Sequence, residues 1–243
     1  MFSVQARTVA SITLRATMGR KRVFLFALPP LILLVITAAL KVANPPGTAW
    51  PSHILGDFGF VVILPLTALI IGTSVLGAEI DDGSVVHLLA TPVSRSTVII
   101  SKFAVAAVLT MAFVAVPELV AGLIATGGAT KLAIGLFVGA LAGSVIYNAV
   151  FVMISVLTTR AIAVGLLYLL IWEGVLATFA SGARVLSVGQ YSLAIANAIA
   201  HDSELNAHLG LGTALVMGTI VTAGTLTLAV RRLAAFSLKG DAV

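Results

Sequence analysis

Cysteine is absent from the 243 residues, which excludes disulfides and thiolate metal sites. Charge is scarce as well. Asp, Glu, Lys and Arg together make up 9% of the chain, where a soluble domain carries about a quarter. The common catalytic signatures are missing: no Gly-x-x-x-x-Gly-Lys-Ser/Thr phosphate loop, no His-Glu-x-x-His and no Gly-x-Ser-x-Gly elbow. The chain is therefore expected to hydrolyse no ATP and to be no enzyme. The four histidines, at 53, 87, 201 and 208, show no paired metal-ligand spacing on one face, so no metal is expected either.

What is present is apolar. Hydrophobic residues make up 60% of the chain and mean hydropathy is +1.15, the composition of an integral membrane protein. The net charge of +5 has no aromatic-interleaved basic patch behind it, and reads as basic residues that fix topology rather than as a nucleic-acid surface. A hydrocarbon core of about 30 Å needs about 20 apolar residues per helix. Six stretches meet that length, at about 23–40, 58–77, 98–125, 132–157, 161–180 and 211–230. The expected fold is a single all-α membrane domain over 1–243 with six spans.

The connectors carry the remaining information. Residues 3–22 set Arg7, Arg15, Arg20, Lys21 and Arg22 among Val4, Val9, Ile12 and Leu14, which predicts an amphipathic helix lying in the membrane interface. Residues 41–57 read as a Pro/Gly loop, with Trp50 suited to the interface. With the N-terminus inside, eleven basic residues face the cytoplasm, and Lys41, Lys131 and Arg184 lie outside. That bias puts both termini in the cytoplasm. The long connector 181–210 is then external. Its apolar stretch Val185–Ala200 is too short to span, which predicts a re-entrant or interfacial segment between spans five and six.

Two acids fall inside spans, Glu118 and Glu173, each about 10–12 Å from the outer surface by helical rise. Intramembrane acids are candidates for a pathway or gate, because each costs at least about 2.5 kcal/mol to insert. Pro117 invites a kink beside Glu118. In the fourth span Tyr147 and Asn148 read as interhelical hydrogen-bonding residues. Gly135, Gly139 and Gly143 make a small-residue seam there, open to packing within the subunit or between two copies.

The polar island 78–102 breaks the apolar runs of the first half. Asp82 or Ser84 can cap a helix that Pro92 stops, with Val85, Leu88 and Leu89 on one face. Two turns are not stable alone in water, so this helix must be held against the chain or in a partner's groove. Glu79, Asp82–Gly83–Ser84, Leu88–Leu89, Thr91–Pro92–Val93–Ser94–Arg95 and Lys102 together resemble the first cytoplasmic loop of type-2 ATP-binding-cassette transporter permeases. That family often has Glu-Gly-Thr where this chain has Asp82–Gly83–Ser84. Trp172–Glu173–Gly174 resembles a Trp-Glu pair of its bacterial members. Asp81–Asp82–Gly83 also begins like the Asp-rich motif of membrane alcohol phosphatidyltransferases, but Leu88, Leu89 and Ala90 follow where further Asp residues are needed.

The resemblance implies an exporter permease in a bacterial plasma membrane, paired with a second copy or a homologous subunit and surrounded by lipid. The loop 78–97 would couple it to cytoplasmic ATPase subunits, which bind the ATP and Mg. Coupling would fall to Glu79, Asp82, Gly83, Val85, Leu88, Leu89, Pro92, Arg95 and Lys102, and the external re-entrant hairpin would help close the outer end. The competing expectation is a stand-alone ion- or proton-coupled transporter using Glu118 and Glu173. A membrane-embedded lipid enzyme is the weaker rival, since no paired catalytic polar residues sit at one interface.

Overall fold

The computed structural model describes residues 4–44, 50–76, 93–128, 130–177 and 182–237. Among these the regular elements are all helical. They are α1 (Val4–Thr17), α2 (Arg20–Ala43), α3 (Trp50–Ser74), α4 (Arg95–Thr126), α5 (Thr130–Leu157), α6 (Ala161–Leu176), α7 (Val188–Ala200) and α8 (Leu211–Ser237). Five of them, α2, α3, α4, α5 and α8, are long and apolar enough to cross a membrane, and α6 is a shorter apolar helix.

The helix ends follow local chemistry. Gly127 and Gly128 take positive φ of 66° and 102° and end α4, with Gly128 N–H returning to Leu123 O at 3.1 Å. The chain therefore turns tightly into α5. His201, at φ 52°, closes α7 in the left-handed conformation that His tolerates better than most residues. The loop expected over 41–57 is shorter than its composition suggests. Helix α2 runs to Ala43 and α3 begins at Trp50, because Pro51 sits in the first turn, where its missing N–H costs nothing.

Proline shapes the spans without breaking them. Pro65 and Pro117 each follow a wider, π-helical stretch, Ile54–Ile63 in α3 and Met111–Ala115 in α4. A proline ring clashes with the carbonyl four residues back. A π register in the preceding turn moves that carbonyl aside. The kink invited by Pro117 thus takes the form of a locally unwound helix. A third π-helical stretch, Tyr168–Leu176, forms the second half of α6.

Helix α5 is the axis of the bundle. In its most apolar window 72% of residues are buried, against 22% in α2 and 17% in α8, which therefore lie on the rim. One core joins α3, α5 and α7 around Phe60, Leu64, Tyr147, Phe151 and Tyr191. A second, at the end of α3 and the start of α4, gathers Phe26, Ile71, Val98 and Val152. Helix α1 packs on α4 through a face of small residues, Ala6, Val9, Thr13 and Thr17. Ile12 and Leu14, among the apolar residues read from sequence, are exposed on the bundle's outside.

Candidate functional site

The helix expected within the island lies outside the described residues, and with it Glu79, Asp82, Gly83, Val85, Leu88, Leu89 and Pro92. Its C-terminal flank is described. Ser94 caps α4, its Oγ accepting from Thr97 N–H at 3.2 Å. Arg95 opens the helix, and Lys102 follows two turns later. Lys102 is 1% exposed, and its Nζ donates to the Val75 carbonyl at 2.8 Å. Val75 caps the C-terminus of α3, where the helix dipole favours a cation. One buried ammonium thus ties the end of α3 to the start of α4, the two helices that flank residues 77–92.

The intramembrane acids sit in opposite electrostatic settings. Glu118 is fully buried in α4, one residue past Pro117, and neither carboxyl oxygen has a hydrogen-bond partner among the described residues. Its neighbour is Gly59, in the π-helical stretch of α3; a Cβ at that position would overlap Oε1. The two distorted stretches therefore meet at an orphan carboxyl. Buried polar groups are ordinarily paired, and this one is held against a surface that only glycine leaves open.

Glu173 is saturated by comparison. Its Oε2 accepts from Ser187 Oγ at 2.5 Å, and its Oε1 accepts from Val188 N–H at 2.9 Å and Tyr168 Oη at 3.3 Å. Ser187 in turn caps α7, accepting from Gln190 N–H at 3.2 Å. The carboxyl of α6 therefore sits at the N-terminus of α7, where unsatisfied N–H groups and the helix dipole favour negative charge. Trp172 Nε1, donating to Leu186 O at 3.2 Å, adds a second tie between the same segments. The two acids share none of these partners.

Helix α7 is seated on the glycine seam. A Cβ at Gly135 would stand 2.5 Å from Ala196 O, and one at Gly139 2.6 Å from Ser192 O. The seam therefore packs within the subunit, against α7. Asn148 bonds across helices as its sequence position suggests, donating to Thr110 Oγ1 at 2.8 Å. Tyr147 stacks its ring on Phe151 at 5.9 Å, and its buried hydroxyl faces Gly189 of α7 beside the Glu173 carboxyl.

The turn after α7 is laced to the start of α3. Ser52 Oγ donates to Asp202 Oδ2 at 2.5 Å, Asn206 Nδ2 reaches both oxygens of Asp57 at 3.2 Å, and His53 lies 3.3 Å from Glu204. With Glu173, Arg184 and His208, Asp57 and Asn206 line a cavity of about 200 Å³. Among the described residues no group of His, Asp and Glu is arranged to hold a metal.

Residues 18–179 match the family described as ABC-2 family transporter protein. The chain belongs to that family. Comparison with curated proteins gives no match. The family match runs from just before α2 to the end of α6 and includes Lys102, Glu118 and Glu173. This ABC-2 permease is an integral, multi-pass membrane transport protein, and its family implies partnership with an ABC ATPase subunit. Ser187, Tyr168 and Asp57 escaped the sequence reading. Ser187 had a signal, since Ser187-x-x-Gln190 has the spacing of a capping box.

Proposed function

We propose that this ABC-2 permease is the membrane-spanning subunit of an exporter. Two copies, or this subunit and a relative, enclose the pathway, and each docks on a cytoplasmic ATPase through residues 78–97. The ATP and Mg sit on those partners, and this chain contributes no cofactor and no chemistry. Nucleotide binding draws the ATPases together, the loop passes that movement to α3 and α4, and the pathway opens to the outside. The work comes from the difference in affinity between two states of the complex.

Membership of the family carries this reading, and the Lys102–Val75 contact gives it a mechanical element. A loop whose flanking helix ends are tied together moves them as one body. On this reading α6 is the sixth span, and both termini are cytoplasmic in a bacterial plasma membrane. Helix α1 lies in the interface, its small-residue face on α4 and Ile12 and Leu14 turned to lipid. Helix α7 is the external re-entrant segment, held to α6 by Glu173, while Glu118 faces the moving contact between α3 and α4. Export is favoured by the short loops and by the lack of any feature for docking a binding protein.

The test is reconstitution. Purified alone, the chain shows no ATP hydrolysis; co-expressed with its cognate ATPase, it forms a stable complex whose hydrolysis responds to substrate. Appreciable hydrolysis by the isolated chain overturns the proposal.

A further inference from the structure

Helix α2 leans chiefly on α4 and helix α6 on α3 and α5, rather than on each other, and the gap between them, floored by α3, is a crevice of about 610 Å³. Its wall is mostly apolar, with Phe26 and Leu166 among the residues that form it, and among the described residues no carboxylate lines it. Its charged groups are two arginines, Arg22 near the start of α2 and Arg160 at the start of α6. Both are exposed, and neither has an ion-pair partner among the described residues. Arg22 commits one N–H, from Nη1 to Ala16 O at 3.3 Å, of the five a guanidinium offers. Ser74 lies in the same lining; its hydroxyl proton is spent on Ile71 O at 2.8 Å, which leaves the oxygen free to accept.

Two unpaired guanidinium groups at the mouth of an apolar slot match one chemistry. Phosphate diester oxygens accept bidentate hydrogen bonds from arginine, and a hydrocarbon chain has no polar group to leave unsatisfied along the wall. A free anion would use the arginines and waste the wall; a neutral apolar ligand would use the wall and leave the charge unmatched. We infer that this crevice binds one anionic phospholipid, its phosphate between Arg22 and Arg160 and an acyl chain along Phe26 and Leu166. Ser74 Oγ accepts from a headgroup hydroxyl. The lipid then fills the space between α2 and α6 and joins two helices that have little direct contact.

Binding is measured on the full-length chain in detergent by native mass spectrometry, with phosphatidylglycerol and phosphatidylcholine as probes. One phosphatidylglycerol is retained, about tenfold more tightly than phosphatidylcholine, as two nearby basic residues predict. The double variant Arg22→Gln/Arg160→Gln loses that preference. Arg15→Gln/Arg231→Gln removes the same charge elsewhere and keeps it. Ala163→Trp leaves the charges intact and obstructs the slot, so it also abolishes retention, and its monodisperse elution shows that the fold survives. Glycerol 3-phosphate, the headgroup without chains, fails to compete at millimolar concentration. Equal retention of both lipids, unchanged binding by Arg22→Gln/Arg160→Gln or by Ala163→Trp, or full competition by glycerol 3-phosphate overturns the inference. A shift of Ala163→Trp from dimer to monomer with lipid retention unchanged assigns the crevice to a second copy and overturns it equally.

Discussion

Gly59 lies so close to Glu118 that a single added methyl group would overlap the carboxyl. The contact joins the π-helical stretch of α3 to the residue just after Pro117 in α4, so two helix distortions converge on one buried acid. Gly59→Val should cost about 1–3 kcal/mol as an overpacked site. Adding Glu118→Ala should restore most of it by removing the obstructed carboxyl. Thermal unfolding of the two single variants and the double variant in detergent gives the coupling directly. Additive losses would mean the two residues do not touch. Glu118→Leu should be near neutral for stability, because it removes two orphan oxygens rather than breaking a bond. Loss of transport at unchanged stability would then mark Glu118 as part of the moving contact.

Glu173 calls for the reverse outcome. Its carboxyl accepts from Ser187, Val188 and Tyr168, so Glu173→Ala leaves two buried donors and one half-buried donor without their acceptor. Each orphan costs about 1–3 kcal/mol where nothing replaces the lost partner. The damage should be local. Hydrogen exchange should rise in the first turn of α7, at Val188 and Gln190, while the α5 amides beside Asn148 stay protected. Glu173→Gln keeps one acceptor oxygen and should fall between the two. Uniform exchange across α5 and α7 would show that Glu173 does not pin the outer segment in particular.

The glycine seam gives a steric test of the same segment. Gly139 faces the Ser192 carbonyl and the Ala196 methyl group, and backbone cannot yield as a side-chain tip can. Gly139→Val should push α7 off α5, raise exchange through Ser192–Ala196 and lower the unfolding temperature. Gly224→Val, on α8 with nothing within 4 Å of its Cβ position, is the matched control. Equal behaviour of the two variants would mean that α7 does not rest on the seam.

Five of the six expected spans were legible because bilayer thickness demands about 20 apolar residues in a row, a signal carried within each segment; the stretch at 161–180 forms the shorter apolar helix α6. The same holds for the turn after α4, where Gly127 and Gly128 supply positive φ. Contacts between segments were not legible. The seam announced close packing, yet its partner depends on where α7 folds back. The Ser187 cap could be read from spacing, but its bond to Glu173 spans 14 residues across a turn. Amphipathicity at α1 did not say which face packs on the bundle: Ala6, Val9, Thr13 and Thr17 are buried, while the larger Ile12 and Leu14 are exposed. Burial there follows close helix approach, which favours small side chains. The loop at 41–57 misled through composition, since proline in a first helical turn is no breaker.

Orientation is tested without removing any native residue, because the chain has no cysteine. Cysteines introduced at 48 and 206 should label from outside intact cells with a membrane-impermeant maleimide. Those at 84 and 239 should label only after permeabilisation. The reasoning is the basic-residue bias of eleven against three. Labelling at 84 from outside would overturn the topology and the coupling role together.

Coupling itself is tested at the island between α3 and α4. Leu88 and Leu89 are the apolar anchors expected of a two-turn helix, each worth roughly 1.5–3 kcal/mol if fully buried in a partner's groove. Leu88→Asp should therefore weaken ATPase binding, by placing an unpaired charge where an apolar group is wanted. Glu79→Ala and Arg95→Ala should leave the complex assembled and lower substrate-stimulated hydrolysis, since they flank the docking helix and set its angle. Lys102→Met keeps the length of the side chain and removes the ammonium that holds Val75 O. It should also leave assembly intact while uncoupling hydrolysis from transport, because α3 and α4 would no longer move as one body. If the island only packs on this chain's own surface, Leu88→Asp lowers folded yield, yet the protein that does fold binds the ATPase normally. Co-purification and turnover on the same preparations separate these cases. Well-folded, fully coupled Leu88→Asp protein would show that the island does not transmit the ATPase movement, and the proposed mechanism would fall.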